Sequence, residues 1–169
     1  MTEYYEKVQY SEQPEQVRYR PRPDGKADVW IRHDVQQEQN SEGGIVWFAR
    51  EVYLQTVQSQ AEIEANAARV FLKESGIQKA LTQAVQDWMD ETVSVRNYDN
   101  IFTACSYANS TDTKFRAEGE ACVAWRDRVW KRCYAILDEV MAGLRVIPTT
   151  QELLAELRTK VPFVWPEVA

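Results

Sequence analysis

Residues 121–143, "ACVAWRDRVWKRCYAILDEVMAG", constrain what this chain can fold into more than any other run. On a helix, Val129, Cys133, Ile136 and Val140 form one row, and Trp130, Tyr134, Leu137 and Met141 form a second row one residue along. Adjacent helical residues lie about 100° apart, so the two rows together cover close to half of the circumference. Asp127, Arg128, Lys131, Arg132, Asp138 and Glu139 occupy the remainder. A two-helix seam needs a narrower stripe. The pattern therefore predicts the central member of a small bundle, with apolar neighbours on two sides. The alternative is that part of the arc, together with Trp165, docks onto another protein or a second copy of the chain. Trp, Tyr, Met and Arg are the residues enriched at such contacts. Trp125, Trp130, Tyr134, Phe163 and Trp165 are the candidate contact residues.

The segments around this helix supply its neighbours. "SQAE" (59–62) reads as a capping box, with Ser59 as N-cap and Glu62 reaching back, and Ile63, Ala67, Val70 and Phe71 follow at helical spacing. Gly76 suits a left-handed helix end, which would leave a second helix starting at Ile77; as a tolerated interior glycine it would join the two. A short helix is expected over 99–109, the long one over about 112–142 ending at Gly143, and a last one capped by Thr149 and Glu152. The tail "VPFVWPEV" carries two prolines around Phe163 and Trp165 and reads as extended, and it either folds back over the long helix, burying Trp165, or offers Trp165 to a neighbouring chain.

The first half has the opposite character. "DVWIRHDV" (28–35) and "IVWFAREVYLQTV" (45–57) are β-branched and aromatic, and "PDGK" (23–26) and "NSEGG" (40–44) are turn sequences. Period two places Val29, Ile31, His33 and Val35 on one face, and Trp30, Arg32 and Asp34 on the other. An antiparallel meander of about three strands is expected, and so small a sheet needs a cover on its apolar face. The fold class is thus α+β: a β-rich module over 1–58, then a helical module over 59–169 with one long helix and an extended tail.

Composition enters where function is concerned. The chain of 169 residues has a net charge of −6, so it lacks the overall basic character of a phosphate-neutralising protein. Arg18, Arg20 and Arg22 alternate along one strand face, where charge guards a sheet edge. No nucleic acid and no membrane is expected as a partner. No run approaches the roughly 20 apolar residues of a membrane span. The opening "MTEYYEKVQYSEQ" has neither the basic start nor the apolar core of a signal peptide. Cys105, Cys122 and Cys133 are odd in number and form no CxxC pair, which points to free thiols.

Catalytic chemistry finds little to build on. His33 is the single histidine, and metal or acid–base constellations need more than one suitable group. Gly43-Gly44 lies in a hairpin turn without a following Lys-Ser/Thr. Carboxylate pairs such as Asp87/Asp90 and Asp138/Glu139 read as solvated helix faces. The expectation is a protein that is not an enzyme, with no catalytic residue, no cofactor and no metal.

The series "RNYDNIFTACSYANST", "KFRAEGEACVAWRDRVWKRCYAILDEVMAGLRVIPTTQELLAEL" and a terminal "VWP" resembles small tail-region proteins of tailed bacteriophages and prophages. These are described as tail or tail-fibre assembly proteins. Arg96, Tyr98, Asp99, Ala117, Glu118, Gly119, Ala124, Trp125, Arg126, Trp130, Tyr134, Gly143, Pro148 and Trp165 carry the match, within residues 95–166. Residues 28–66 look more weakly like other short phage tail-region proteins. The resemblance implies expression in the bacterial host cytoplasm and an assembly factor, a chaperone or adaptor that binds a phage tail or tail-fibre protein. The alternative it leaves is a permanent structural part of the virion tail tip or fibre. It supplies no catalytic residue.

Overall fold

A computed structural model describes residues 1–167, so the last two residues of the expected helical module lie outside it. The chain divides between Lys79 and Ala80 into two compact units. The first unit is built on four antiparallel strands, β1 (Thr2–Tyr10), β2 (Val17–Pro21), β3 (Ala27–Gln39) and β4 (Ile45–Thr56), in the order β1-β4-β3-β2. β2, β3 and β4 are the expected meander. β1 is a fourth strand that the reading of the sequence missed. Its alternation is interrupted at Glu6-Lys7, where the pairing with β4 shifts register between Tyr5 and Val8. Such a bulge obscures the period-two signal that identifies a strand.

Register sets the apolar face. Val29 lies opposite Leu54 and Ile31 opposite Val52, and all four are buried. Ile63 of α1 (Gln60–Ala65) and Phe71 and Leu72 of α2 (Ala67–Glu74) are buried in the same unit, with the Phe71 ring 6.2 Å from that of Tyr4 on β1. These two helices are the cover that the sheet requires, and this is why the division falls about 20 residues beyond the boundary expected at 58/59. The Ser59–Glu62 capping box forms. The run behind it is two helices rather than one. Asn66, with φ −124° and ψ 16°, turns its amide onto the Glu62 carbonyl at 3.0 Å, a local bond that competes with the helical ladder.

His33 and Asp34 also depart from expectation. A bulge between His33 and Gln36 puts Asp34 at φ +52°, in the left-handed region. Its carboxylate then turns back to lie 3.0 Å from His33 Nδ1, instead of pointing to the opposite face. At the other break, Gly76 takes φ +73°, which glycine adopts without steric cost. The helices around it are therefore separate, α2 and α3 (Ile77–Ser94), with Ser75 Oγ accepting from the Ile77 N–H at 3.3 Å.

The second unit contains most of α3, α4 (Ile101–Ser106), a 3-10 turn (Tyr107–Asn109), α5 (Thr113–Met141) and α6 (Thr150–Lys160). α4, α5 and α6 each start on a side-chain cap. Asn100 accepts from Thr103 N–H at 2.8 Å, Asp112 from Lys114 and Phe115 N–H at 2.9 and 3.0 Å, and Thr149 with Glu152 forms a capping box. Behind Gly143, Leu144 N–H reaches Glu139 O at 2.9 Å and Gly143 N–H reaches Val140 O at 3.0 Å, a Schellman ending.

The first row of α5 is core: Val129, Ile136 and Val140 are buried, and so are Cys122 and Trp125 on the same line extended upstream. Val85, Trp88, Met89 and Val93 of α3, Ile101 and Ala104 of α4, and Leu153 and Leu157 of α6 complete the cluster. A closed ring of charges joins α5 to α6, in which Arg132 and Arg145 each bond both Glu139 and Glu156. Alternating charges in such a network hold better than isolated surface pairs.

Gly119 has no room for a side chain, since a Cβ there would run into the Ala108 backbone nitrogen and the Tyr107 carbonyl carbon. Helix propensity alone favours Gly119→Ala by about 1 kcal/mol. The clash is with backbone on both counts, so overpacking wins. The variant should lose about 1–3 kcal/mol of stability in urea denaturation. A gain in stability would show that the turn at 107–109 is free to move away.

Candidate functional site

The site grows from one polar residue on an apolar line. Positions 118, 122, 125 and 129 of α5 follow spacings of four, three and four, so Glu118 sits on the same buried row as Cys122, Trp125 and Val129. Its side chain is only 2% exposed. A buried carboxylate must be paired and hydrogen-bonded, and two donors come from the segment that follows α3. Arg96 donates to one carboxylate oxygen, and the Tyr98 hydroxyl donates to the other at 2.7 Å. Asn97 between them stands at φ +63°, an αL conformation that asparagine tolerates better than most residues. Burial, followed by the bond to Glu118, raises the Tyr98 phenol above its ordinary value, so it remains a donor.

The C-terminal strap, residues 161–167, closes on this group from within the same unit. Trp125 is fully buried, and its indole N–H donates to the Val161 carbonyl at 2.8 Å. From there a file of rings runs along the strap. Phe163 stands 4.6 Å from Trp125, Trp165 stands 4.7 Å from Phe163, and Trp165 stacks on Tyr98 at 6.1 Å. Tyr107 and Phe115 continue the file at 5.5 and 5.6 Å. The Arg96 guanidinium lies 4.6 Å from the Trp165 ring centre while bonding Glu118, so it joins the buried carboxylate to the strap. Beyond Trp165, Arg96, Tyr98 and Glu118 also line an open pocket walled by Tyr107, Phe115 and Lys114.

The candidate contact residues therefore divide. Phe163 meets both Trp125 and Trp165, and Trp125 is internal rather than part of a contact surface. Trp130 is half-buried against the core, and Tyr134 is 65% exposed. Arg96, Tyr98 and Glu118 were quoted from the sequence only for a resemblance. Their role could have been read from Glu118 falling on the apolar row.

Elsewhere the titratable groups have structural partners. His33 Nδ1 faces both the Asp34 backbone N–H at 3.1 Å and the Asp34 carboxylate at 3.0 Å. Burial, with the Arg50 charge, lowers the His33 pKa, and Arg50 pairs with the Asp34 carboxylate that would otherwise raise it. Arg20 on the edge strand β2 and Arg22 just beyond it bond Asp28, and Arg18 and Arg20 lie against the Trp30 ring at 5.4 Å. The Arg20 hydrogen bond leads in holding the Asp28 carboxyl below its usual range. Burial pushes the Cys122 thiol up to about 12, the reverse of what a nucleophilic cysteine needs. Among the described residues, no cluster of three or more metal-ligating side chains occurs, and no helix is long and apolar enough to cross a membrane.

Comparison with known proteins finds no family model, no curated protein and no solved structure that matches this chain.

The pairing at Glu118 has an energetic consequence. Glu118→Ala leaves Arg96 and the Tyr98 hydroxyl without their acceptor. Because the Arg96 side chain is 34% exposed, water recovers part of the loss, and a cost of about 2 kcal/mol is expected rather than the ~3–5 of a fully buried pair. Glu120→Ala, on the exposed side of the same helix, should stay within about 0.5 kcal/mol. Equal shifts in denaturation midpoint would remove Glu118 from its place in this account.

Proposed function

We propose that this protein is a non-enzymatic assembly factor of a tailed bacteriophage or prophage, acting in the host cytoplasm as a chaperone or adaptor that binds a tail or tail-fibre protein. The observation that carries the reading is the second apolar row of α5. Trp130, Leu137 and Met141 are half-buried and Tyr134 is largely exposed, although the neighbouring row is core. An aromatic row left part-open along a well-anchored helix is the kind of surface at which Trp, Tyr and Met concentrate in protein contacts. The likeness of residues 95–166 to phage tail-region proteins supports the setting.

Tyr134→Asp tests the reading, because the residue's exposure lets a charge be added without unfolding the bundle. Affinity-tagged wild-type protein, isolated from phage-producing cells, should co-purify a tail or fibre protein identified by mass spectrometry. The variant should melt within about 2 °C of wild type, as a surface change of under ~0.5 kcal/mol does, and should lose that protein. Retention of the partner by the variant, or wild-type protein that brings down no tail component, would contradict the proposal. Persistence of the chain in purified particles would mark it as a structural component instead.

A further inference from the structure

In the first unit, the sheet face opposite Val29, Ile31, Val52 and Leu54 carries aromatic and charged side chains in register. Glu3, Tyr53, Trp30 and Arg18 line up across the four strands, and Tyr5, Glu51 and Arg32 form the next row. Three cations of this unit are held in one way, over an aromatic ring and against a carboxylate. Arg20 lies 5.4 Å from the Trp30 ring centre and bonds Asp28 at 2.7 Å. Arg32 lies 5.1 Å from that of Tyr10 and bonds Glu51 at 2.8 Å. Lys7 lies 3.8 Å from that of Phe48 and bonds Glu38 at 3.0 Å. Each arrangement adds the attraction of a ring face to that of an ion pair.

A fourth place on the sheet has the rings and a carboxylate without a cation from the chain. Tyr5, Tyr53, Trp30 and Val8 wall a cleft of about 420 Å³ whose only charged lining groups are Glu3 and Glu51. Glu51 is committed to Arg32 and to the Tyr10 hydroxyl. Among the described residues Glu3 pairs with no lysine or arginine, and its carboxylate accepts from the Tyr5 hydroxyl. That bond, followed by burial, raises the Tyr5 phenol above its ordinary value, so the ring stays a neutral donor. Arg18, the one charge of the row that opposes a further cation, stands at the other end from Glu3. Tyr5 is 43% exposed, so the cleft is open to solvent. Its charge and its ring faces complement a cation, and a guanidinium suits it better than an ammonium, being planar, able to stack on rings and able to fork onto a carboxylate.

We propose that this cleft binds an arginine side chain of a partner protein, with the guanidinium on the aromatic wall and bonded to Glu3. The site shares no residue with the Trp130–Tyr134 row, and it stands whether or not that row binds a tail protein.

The test is an NMR titration of the whole chain labelled with nitrogen-15, followed at the Trp30 indole N–H, which Trp30→Phe assigns. The probe is the peptide acetyl-Gly-Arg-Gly-amide, and its control carries citrulline, the uncharged isostere, in place of arginine. The arginine peptide should shift the Trp30 signal saturably at millimolar concentration, and the citrulline peptide should not. Glu3→Gln on the edge strand should keep the fold and weaken binding about two- to fivefold, as the loss of one partly exposed ion pair does. Glu42→Gln, the same change of charge in the hairpin turn, should leave binding unaltered. No saturable shift with the arginine peptide, an equal response to citrulline, or equal losses in Glu3→Gln and Glu42→Gln would overturn the proposal. So would a concentration-dependent dimer that Glu3→Gln dissolves, because a second copy would then supply the arginine.

Discussion

A carboxylate on the apolar row of a long helix is the constraint on which the second unit depends. Glu118 lies where a leucine would simply pack, and burying its charge is tolerable only with donors in place. Arg96 and Tyr98 meet that demand, and in doing so they fix the course of the chain between α3 and α4. Their remaining surfaces then become the seat of the strap: the guanidinium plane for Trp165 on one side, the phenol ring for Trp165 and Tyr107 on another. One buried charge thus specifies a turn, a file of aromatic rings and the docking of a terminus. A leucine at the same position would bury as much apolar surface and specify none of them.

Trp125 contributes what the ion pair cannot. It packs edge-on to Trp88 at 5.3 Å, placing it in the core with α3, and its N–H reaches outward to Val161. A buried indole usually finds a partner for its single donor, and here the partner is the first residue after α6. The hydrogen bond links the centre of the bundle to the strap. Apolar burial supplies most of the stability, whereas the polar contacts decide which arrangement of the same apolar surface is adopted.

Much of this was legible in the sequence, for reasons that differ by element. Capping boxes at Ser59 and Thr149, the helix ending at Gly143 and the core row of α5 all rest on local chemistry or short periodicity, which sequence displays directly. β1 was hidden because its bulge breaks the alternation at Glu6-Lys7. The interruption at Asn66 was missed because the apolar spacing of Ile63, Ala67 and Phe71 continues across it, and a side-chain amide rather than a proline or glycine makes the break. Asp34 was assigned to the wrong face because period two assumes an unbroken strand. The tail's return onto the long helix was one of two courses its sequence allowed, but the residues that receive it were not legible. The assembly of Trp125, Phe163 and Trp165 into one file depends on Arg96 and Glu118, which are 22 positions apart and meet only in the folded unit.

Fluorine NMR of protein labelled with 5-fluorotryptophan tests most directly the claim that the buried carboxylate holds the strap. The Trp125 and Trp165 resonances would be assigned by substitution and followed in Glu118→Gln, which keeps an acceptor for Tyr98 but removes the charge that holds Arg96. Trp165 should move toward its solvent-exposed shift while Trp125 stays close to its native one. A Trp165 resonance unchanged by the loss of that charge would contradict the account, because the strap would then be docked by its rings alone.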